Sequence, residues 1–149
     1  MGTGVNNLKK EEGLDMRVIL GLSLILAFMG IANADVYSDN AKAAQEVADA
    51  FFKAIADNDF EAYKAKVAAA LVAEYNANNA NCKIKRWWDS ARKGIDKSNA
   101  KWAFVKVKSN MPTSIALDYK RTTSTGDSIN TIYLKKEGDK WLVDAAGSI

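Results

Sequence analysis

Histidine is absent from this chain of 149 residues, and cysteine and proline each occur once. Without histidine the chain cannot build a Ser-His-Asp or Cys-His nucleophile pair, and it cannot bind zinc through imidazole. A single cysteine, Cys82, excludes an intramolecular disulfide framework. Two interpretations of Cys82 stay open, a buried thiol and a disulfide to a second molecule.

A strong excess of charge of one sign is also absent. The formal net charge is only +3, whereas nucleic-acid-binding domains usually combine a clustered basic face with a higher isoelectric point. We therefore predict no nucleic-acid partner. The sequence also holds no motif for a metal or a cofactor, and we predict neither.

The longest apolar run, Val18–Ala32, has fifteen residues. A helix that spans a membrane needs about 20 apolar residues, so this run is short for an anchor. Met16-Arg17 precedes it and Ala32-Asn33-Ala34 follows it. A positive start, an apolar core and an Ala-x-Ala end are the three parts of a secretory signal peptide. We predict cleavage after Ala34 and an exported protein, either periplasmic or extracellular.

The predicted signal divides the chain into three parts. Residues 1–15 form a polar leader, and Met16 is the expected natural start of translation. Residues 16–34 form the signal peptide. Residues 35–149 form one domain, which is long enough to bury a core without disulfides.

Apolar residues at three- and four-residue steps predict helices in the first half of this domain. A helix is predicted from about Asn40 to Ala56, because Asp39 and Asn40 are N-cap residue types. A second helix is predicted from residue 58 to about residue 75. Its start is indicated by Asn58 and Glu61, which have the spacing of a capping box. Two helices joined by so tight a turn are expected to pack as an antiparallel pair.

Weaker patterns follow the second helix. Residues 76–81 are rich in asparagine and predict a loop. Cys82–Arg86 is predicted as a short edge strand, and Trp87–Lys97 as a third helix. Gly94 lies inside that helix and weakens it by ~1 kcal/mol relative to alanine.

From Lys101 onward the apolar period changes to two, which predicts strands. Turn residues separate them at Pro112, near Gly126 and at Glu137-Gly138-Asp139. The predicted strands cover residues 101–108, 114–121, 129–136 and 140–145. Helices followed by a meandering antiparallel sheet predict an α+β fold.

Three segments carry a resemblance to a known family. They are residues 47–61, the Ile115–Tyr119 strand, and the closing hairpin over residues 133–144 with its Gly138-x-x-Trp141-x-Val143 pattern. The domain resembles the nuclear-transport-factor-2-like (SnoaL-like) cone fold, and within it the small exported bacterial domains of unknown function. The resemblance implies N-terminal helices packed in the concave face of a strongly bent antiparallel sheet, around an apolar cavity.

Members of that family include isomerases, cyclases, small-molecule binders and partner-binding modules, so the fold does not choose a function. Family enzymes use an Asp or His base with a Tyr or Asp donor, which leaves Asp118, Tyr119 and Asp144 as catalytic candidates. Strand alternation places Asp118 opposite Tyr119 and Asp144 opposite Trp141, so both carboxylates are predicted to face solvent. A one-residue bulge would reverse this and place Asp118 inside.

Five aromatic residues are candidates for the lining of a ligand pocket, since cone folds place their site among such side chains. The alternative interpretation is that they form ordinary core. The five are Tyr63, Trp88, Trp102, Tyr119 and Trp141.

Basic residues surround Trp87 and Trp88. They favour either an ordinary solvated helix face or a surface for an anionic glycan, lipid headgroup or partner. The exposure of Trp87 distinguishes these two interpretations, because Trp87 and the adjacent Trp88 cannot both face the core fully on one helix. The basic residues are Lys83, Lys85, Arg86, Arg92, Lys93 and Lys97.

The leading hypothesis is an exported, non-catalytic domain that binds a small apolar ligand or a protein partner. One alternative is an isomerase-like enzyme with a carboxylate base and a Tyr donor. Another is an envelope-assembly subunit anchored by an uncleaved signal. A homodimer is left open, and the membrane is expected to matter only during export.

Overall fold

The computed structural model describes residues 38–77, 81–147 and 149. The predicted leader and signal peptide lie outside the described residues. Within the described part, helices precede strands. The helices are α1 (residues 38–56), α2 (Phe60–Lys64), α3 (Ala69–Ala77) and α4 (Lys83–Ser98). The strands are β1 (Lys101–Met111), β2 (Ser114–Thr123), β3 (Gly126–Glu137) and β4 (Lys140–Ala146).

The four strands form one antiparallel sheet in the order β1-β2-β3-β4. Register shifts interrupt the ladders twice in β1, between Phe104 and Lys106 and between Val107 and Ser109, and once in β4, where Asp144 is the extra residue opposite Tyr133 and Leu134. Bulges of this kind bend a strand and increase its twist, so the sheet curls. The predicted α+β class, with N-terminal helices against a bent antiparallel sheet, is confirmed.

One buried core joins the helices to one face of the sheet. Tyr119 of β2 packs its ring 4.8 Å from the ring of Phe52 in α1, which fixes α1 across the sheet. The predicted apolar stripes supply the core on both sides. Its members include Ala48, Phe51, Ile55, Tyr63, Ile84, Trp88, Ile115, Leu117, Ile132, Leu134, Trp141 and Val143.

The prediction of one continuous second helix is wrong. The chain leaves helical geometry after α2 because its backbone pairs with β4: Ala68 N donates to Val143 O at 2.9 Å, and Val143 N donates to Lys66 O at 2.8 Å. The predicted capping box is also wrong. Asn58 lies in the turn at φ 59°, and Asp59 is the N-cap, with Oδ1 accepting from Ala62 N at 2.9 Å.

The predicted edge strand over Cys82–Arg86 is helix, because Ile84 extends the apolar stripe of α4 by one turn. Cys82 is buried at the N-cap of α4, where its Sγ accepts from Lys85 N at 3.4 Å. This agrees with the buried-thiol interpretation. Asp39 and Asn40 lie inside α1, since residue 38 is already helical. No helix of the described residues is long and apolar enough to cross a membrane.

Gly94 of α4 lies against the side chain of Arg121. A Cβ at this position would collide with Nη2 of Arg121 on β2. The missing side chain therefore lets the Arg121 guanidinium lie against the helix backbone, beside Ala100. Arg121 is the register partner of Trp102 in β1, which lies at the site described below.

Candidate functional site

A cleft of about 430 Å³ opens between α1 and the start of β1 and β2. Its walls are apolar and aromatic, and charged side chains stand at its mouth. The lining residues are Asp49, Phe52, Lys53, Ala56, Ala100, Lys101, Trp102 and Tyr119. An apolar cleft with a few polar groups is the usual form of a small-molecule site.

Helical spacing brings the α1 residues to the cleft. Asp49, Phe52, Lys53 and Ala56 recur at three- and four-residue steps, so they share one side of the helix. Phe52 is buried and stacks on Trp102 of β1, with ring centroids 5.2 Å apart and an interplanar angle of 13°. This stacked pair supplies an apolar, aromatic wall to the cleft.

The polar centre of the cleft is the pair formed by Tyr119 and Asp49. The Tyr119 hydroxyl donates to Oδ1 of Asp49 at 2.7 Å. Burial raises the pKa of Tyr119, and the hydrogen bond to Asp49 raises it further. Tyr119 therefore stays protonated at physiological pH. Its hydroxyl hydrogen is used in the hydrogen bond to the Asp49 carboxylate. Asp49 itself is exposed at the cleft mouth, so its second oxygen can accept from a ligand.

Two of the five predicted aromatic residues, Trp102 and Tyr119, line this cleft. Tyr63 and Trp88 belong to the core instead. Tyr63 is fully buried, its ring lies 5.1 Å from that of Trp88, and its hydroxyl donates to Ile84 O at 3.0 Å. Trp141 is also buried, although its edge reaches a second cleft of about 420 Å³. The structure thus does not bring the five together.

The prediction that Asp118 faces solvent is wrong, since the residue is only 6% exposed. Asp118 lies on the face of β2 opposite Tyr119, where it pairs in register with Lys106 and Thr131. Thr131 Oγ1 donates to Asp118 Oδ1 at 2.8 Å, and Lys108 Nζ donates to Thr131 Oγ1 at 3.2 Å. β2 lies between β1 and β3, so side chains of these two strands cover Asp118. The alternation within β2 alone predicts that Asp118 is exposed to solvent.

Asp144 is exposed, as predicted, and pairs with Lys135 at 3.0 Å. Neither Asp144 nor Asp118 lines the Asp49–Tyr119 cleft. The two predicted carboxylate bases are thus separated from Tyr119, the predicted donor. Asp49 is the carboxylate that accepts the hydrogen bond from Tyr119.

The basic residues around Trp87 lie on α4. Two of them have acidic partners on the same helix: Lys85 pairs with Asp89, and Arg92 pairs with Asp96 at 3.0 Å. Arg92 also donates to Ile55 O at 3.0 Å. Trp87 is partly buried against the core. These contacts favour an ordinary solvated helix face over a dedicated anion surface.

A third cleft, of about 510 Å³, lies along α2, α3 and β4. Its polar lining includes Glu61 and Lys64, which pair with each other at 2.7 Å. Within residues 38–77, 81–147 and 149, no group of three or more Cys, Asp or Glu side chains is placed to hold a metal ion. Among these three clefts, the Asp49–Tyr119 cleft is the one in which a buried tyrosine, hydrogen-bonded to an exposed carboxylate, lies beside an aromatic pair.

Six lining residues of the cleft are not predicted by the sequence patterns: Asp49, Phe52, Lys53, Ala56, Ala100 and Lys101. Helical spacing does place Asp49 beside the edge of the apolar stripe that contains Phe52. The sequence pattern does not reveal the hydrogen-bond partner of Asp49, because Tyr119 lies 70 residues away in the chain. Only the packing of α1 on β2 brings the two together.

Several solved protein chains match the structure. The structure is similar to that of an NTF-2 like protein of unknown function from Shewanella oneidensis MR-1, solved at 1.70 Å resolution. The TM-score is 0.42 with 11% sequence identity, over 71% of this chain and 95% of that one. The description of that protein names the same family as the resemblance found in the sequence. No ligand, residue role or activity is transferred from it. No family model and no curated protein matches the chain.

Proposed function

We propose that this protein is a non-catalytic domain that binds a small, largely apolar molecule in the Asp49–Tyr119 cleft. The observation that carries the proposal is the stacked Phe52–Trp102 wall beside a carboxylate fixed by a tyrosine hydroxyl. The wall supplies apolar contact area. The second oxygen of Asp49, which accepts only a long hydrogen bond of 3.5 Å from Gln45 Nε2, accepts a further hydrogen bond from the ligand. Such a division of roles is typical of small-molecule sites.

The chemistry of the pair favours binding over catalysis. An isomerase-like site needs a base to take a proton and a separate donor for the oxyanion that develops. Tyr119 has one hydrogen, and it is given to Asp49, the carboxylate that would serve as base. The hydroxyl is therefore not available as an oxyanion donor while Asp49 is ionised.

The proposal is tested with 2-naphthol, a planar apolar probe with one hydroxyl donor. We expect saturable quenching of tryptophan fluorescence with a Kd on the order of ten micromolar. Phe52→Leu is expected to weaken binding by up to about tenfold, because an aromatic pair contributes about 0.5–1.5 kcal/mol beyond its area. Trp102→Phe is expected to remove most of the quenching.

Phe60→Leu is the matched control for this experiment. Phe60 is a partly buried aromatic that packs against the core, with its ring 5.1 Å from that of Trp88, and it does not line the cleft. Its variant is expected to bind 2-naphthol like the wild type. Equal loss in the Phe52 and Phe60 variants would contradict the proposal, and so would the absence of saturable binding.

We further propose that the protein is exported. The support is the three-part pattern of Met16–Ala34, which is that of a secretory signal peptide. The intact mass of protein isolated from its natural source is expected to correspond to a chain that begins at Asp35. A mass that retains the Val18–Ala32 segment would contradict cleavage and favour an anchored envelope subunit.

A further inference from the structure

Two buried N–H donors beside the cleft have no acceptor among the described residues. They are Nε1 of Trp102 and Nε of Arg121. Buried donors of this kind are almost always hydrogen-bonded in native proteins, and an exception calls for a missing partner such as a water or a ligand. Two exceptions side by side point to one shared acceptor.

The two donors are neighbours in the sheet. Trp102 of β1 and Arg121 of β2 are register partners, and the Arg121 guanidinium carbon lies 6.0 Å from the centroid of the indole ring. Nη2 of Arg121 lies against Gly94 and Ala100 of the helix end. Arg121 itself is not among the lining residues of the cleft, and its guanidinium is the end of a flexible side chain, so it can turn toward a ligand that lies beside Trp102.

Charge at this end of the cleft is positive. Lys101 lines the cleft next to Trp102, and Lys53 stands on the facing side of α1. Asp49 is the acid among the lining residues, and one of its oxygens already accepts from Tyr119. Lys53 lies close to Asp57, which offsets part of its charge. The unpaired donors and Lys101 therefore favour a ligand group that carries negative charge at the Trp102 end.

We propose that the ligand of the cleft carries a carboxylate, which accepts from Trp102 Nε1 and Arg121 Nε while its apolar body lies against Phe52. This rests on the proposed function and adds the chemical class of the ligand. A carboxylate has two oxygens and so can serve both donors at once, with charge-assisted hydrogen bonds to the guanidinium. A ligand amine at this end would leave both donors unpaired and would be repelled by Lys101.

The test compares naphthalene-2-carboxylate with its methyl ester, which keeps the ring and removes the charge. Hydrogen bonds to charged groups are the stronger class, so the acid is expected to bind about tenfold tighter than the ester or more, by calorimetry. In ¹H–¹⁵N NMR spectra, the indole N–H signal of Trp102 is expected to move downfield with the acid. That signal is assigned by its loss in Trp102→Phe, and the indole signals of the buried Trp88 and Trp141 are internal references.

Arg121→Gln and Trp102→Phe are each expected to lower the acid-to-ester preference several-fold. Lys120→Gln removes the same charge from the neighbouring position of β2, where Lys120 pairs with Asp127, and is expected to keep the preference. The ratio is measured within each variant, so a modest loss of stability does not affect it. If Arg121→Gln does not fold, the inference is decided by the acid-to-ester affinity ratio of Trp102→Phe and by the indole N–H signal of Trp102 in the wild type.

The outcomes separate the two proposals. Equal binding of acid and ester would overturn the carboxylate inference and leave the proposed function in place. Failure of both probes, together with failure of 2-naphthol, would overturn the proposed function. A preference for the acid that survives in both the Arg121 and Trp102 variants would place the carboxylate elsewhere and overturn the inference.

Discussion

Tyr63→Ala is expected to lower the free energy of unfolding by about 3–5 kcal/mol, the range for removal of a buried aromatic ring. Tyr63 is fully buried, and its ring lies 4.8 Å from that of Phe51 in α1 and 5.1 Å from that of Trp88 in α4. The short helix α2 thus holds two longer helices together through one side chain. Denaturant unfolding followed by circular dichroism measures the loss.

Two further variants divide this effect into its parts. Tyr63→Phe keeps the ring and removes the hydrogen bond to Ile84 O, so it is expected to cost about 1 kcal/mol. Tyr75→Ala removes a partly buried ring that packs on Phe60 at 5.3 Å, and it is expected to cost less than Tyr63→Ala. If the two alanine variants destabilise equally, Tyr63 is not the junction that we describe.

Stability is expected to fall steeply as the pH rises above about 10. Burial raises the pKa of Tyr63 and of Tyr119, and the hydrogen bond to Asp49 adds to the increase for Tyr119. An unfolded tyrosine has a pKa of about 10. Above that pH the unfolded chain releases these protons while the folded chain keeps them, so the unfolded state binds fewer protons. Stability then falls by up to about 1.4 kcal/mol per pH unit for each tyrosine.

The contribution of these tyrosines is fully present below pH 10 and is lost above it. Urea unfolding of the wild type at several pH values between about 9 and 11 gives the slope, and Tyr63→Phe/Tyr119→Phe serves as the comparison because all other ionisations are shared. The wild type is expected to lose stability more steeply with pH than the double variant. Equal slopes would show that the two hydroxyls titrate freely in the folded protein.

The sequence predicts well what depends on local periodicity. The three- and four-residue steps of Ala48, Phe51 and Ile55 identify α1. The alternation of Ile115, Leu117 and Tyr119 identifies both β2 and its core face. The Glu137-Gly138-Asp139 turn is found because a left-handed residue is needed there, and Gly138 has φ 61°. These features are fixed by a few neighbouring residues, so they can be found without the tertiary structure.

The wrong predictions concern features that are determined by residues far apart in the sequence. The helix after Lys64 ends because Lys66 and Ala68 pair with Val143, a strand residue far along the chain. Asp118 is buried because β2 has strands on both sides, which alternation within one strand cannot reveal.

The candidate site was predictable only in part for the same reason. Trp102 and Tyr119 are found as aromatic candidates, but nothing local separates them from Tyr63 or Trp88. Asp49 occupies the polar side of α1 and has the local appearance of an ordinary solvated residue. Its role follows from a hydrogen bond across 70 residues of sequence, and that bond exists only once α1 packs on the sheet.

The measurement that tests the central claim most directly is a ¹H–¹⁵N NMR titration of the protein with 2-naphthol. If the Asp49–Tyr119 cleft is the ligand site, the amide signals of Asp49, Phe52, Ala100 and Trp102 will move together and saturate at one Kd. The open face of the sheet is the alternative apolar surface, where Ile129 and Tyr133 are exposed. Movements centred on β3, or no saturable movement anywhere, would contradict the account.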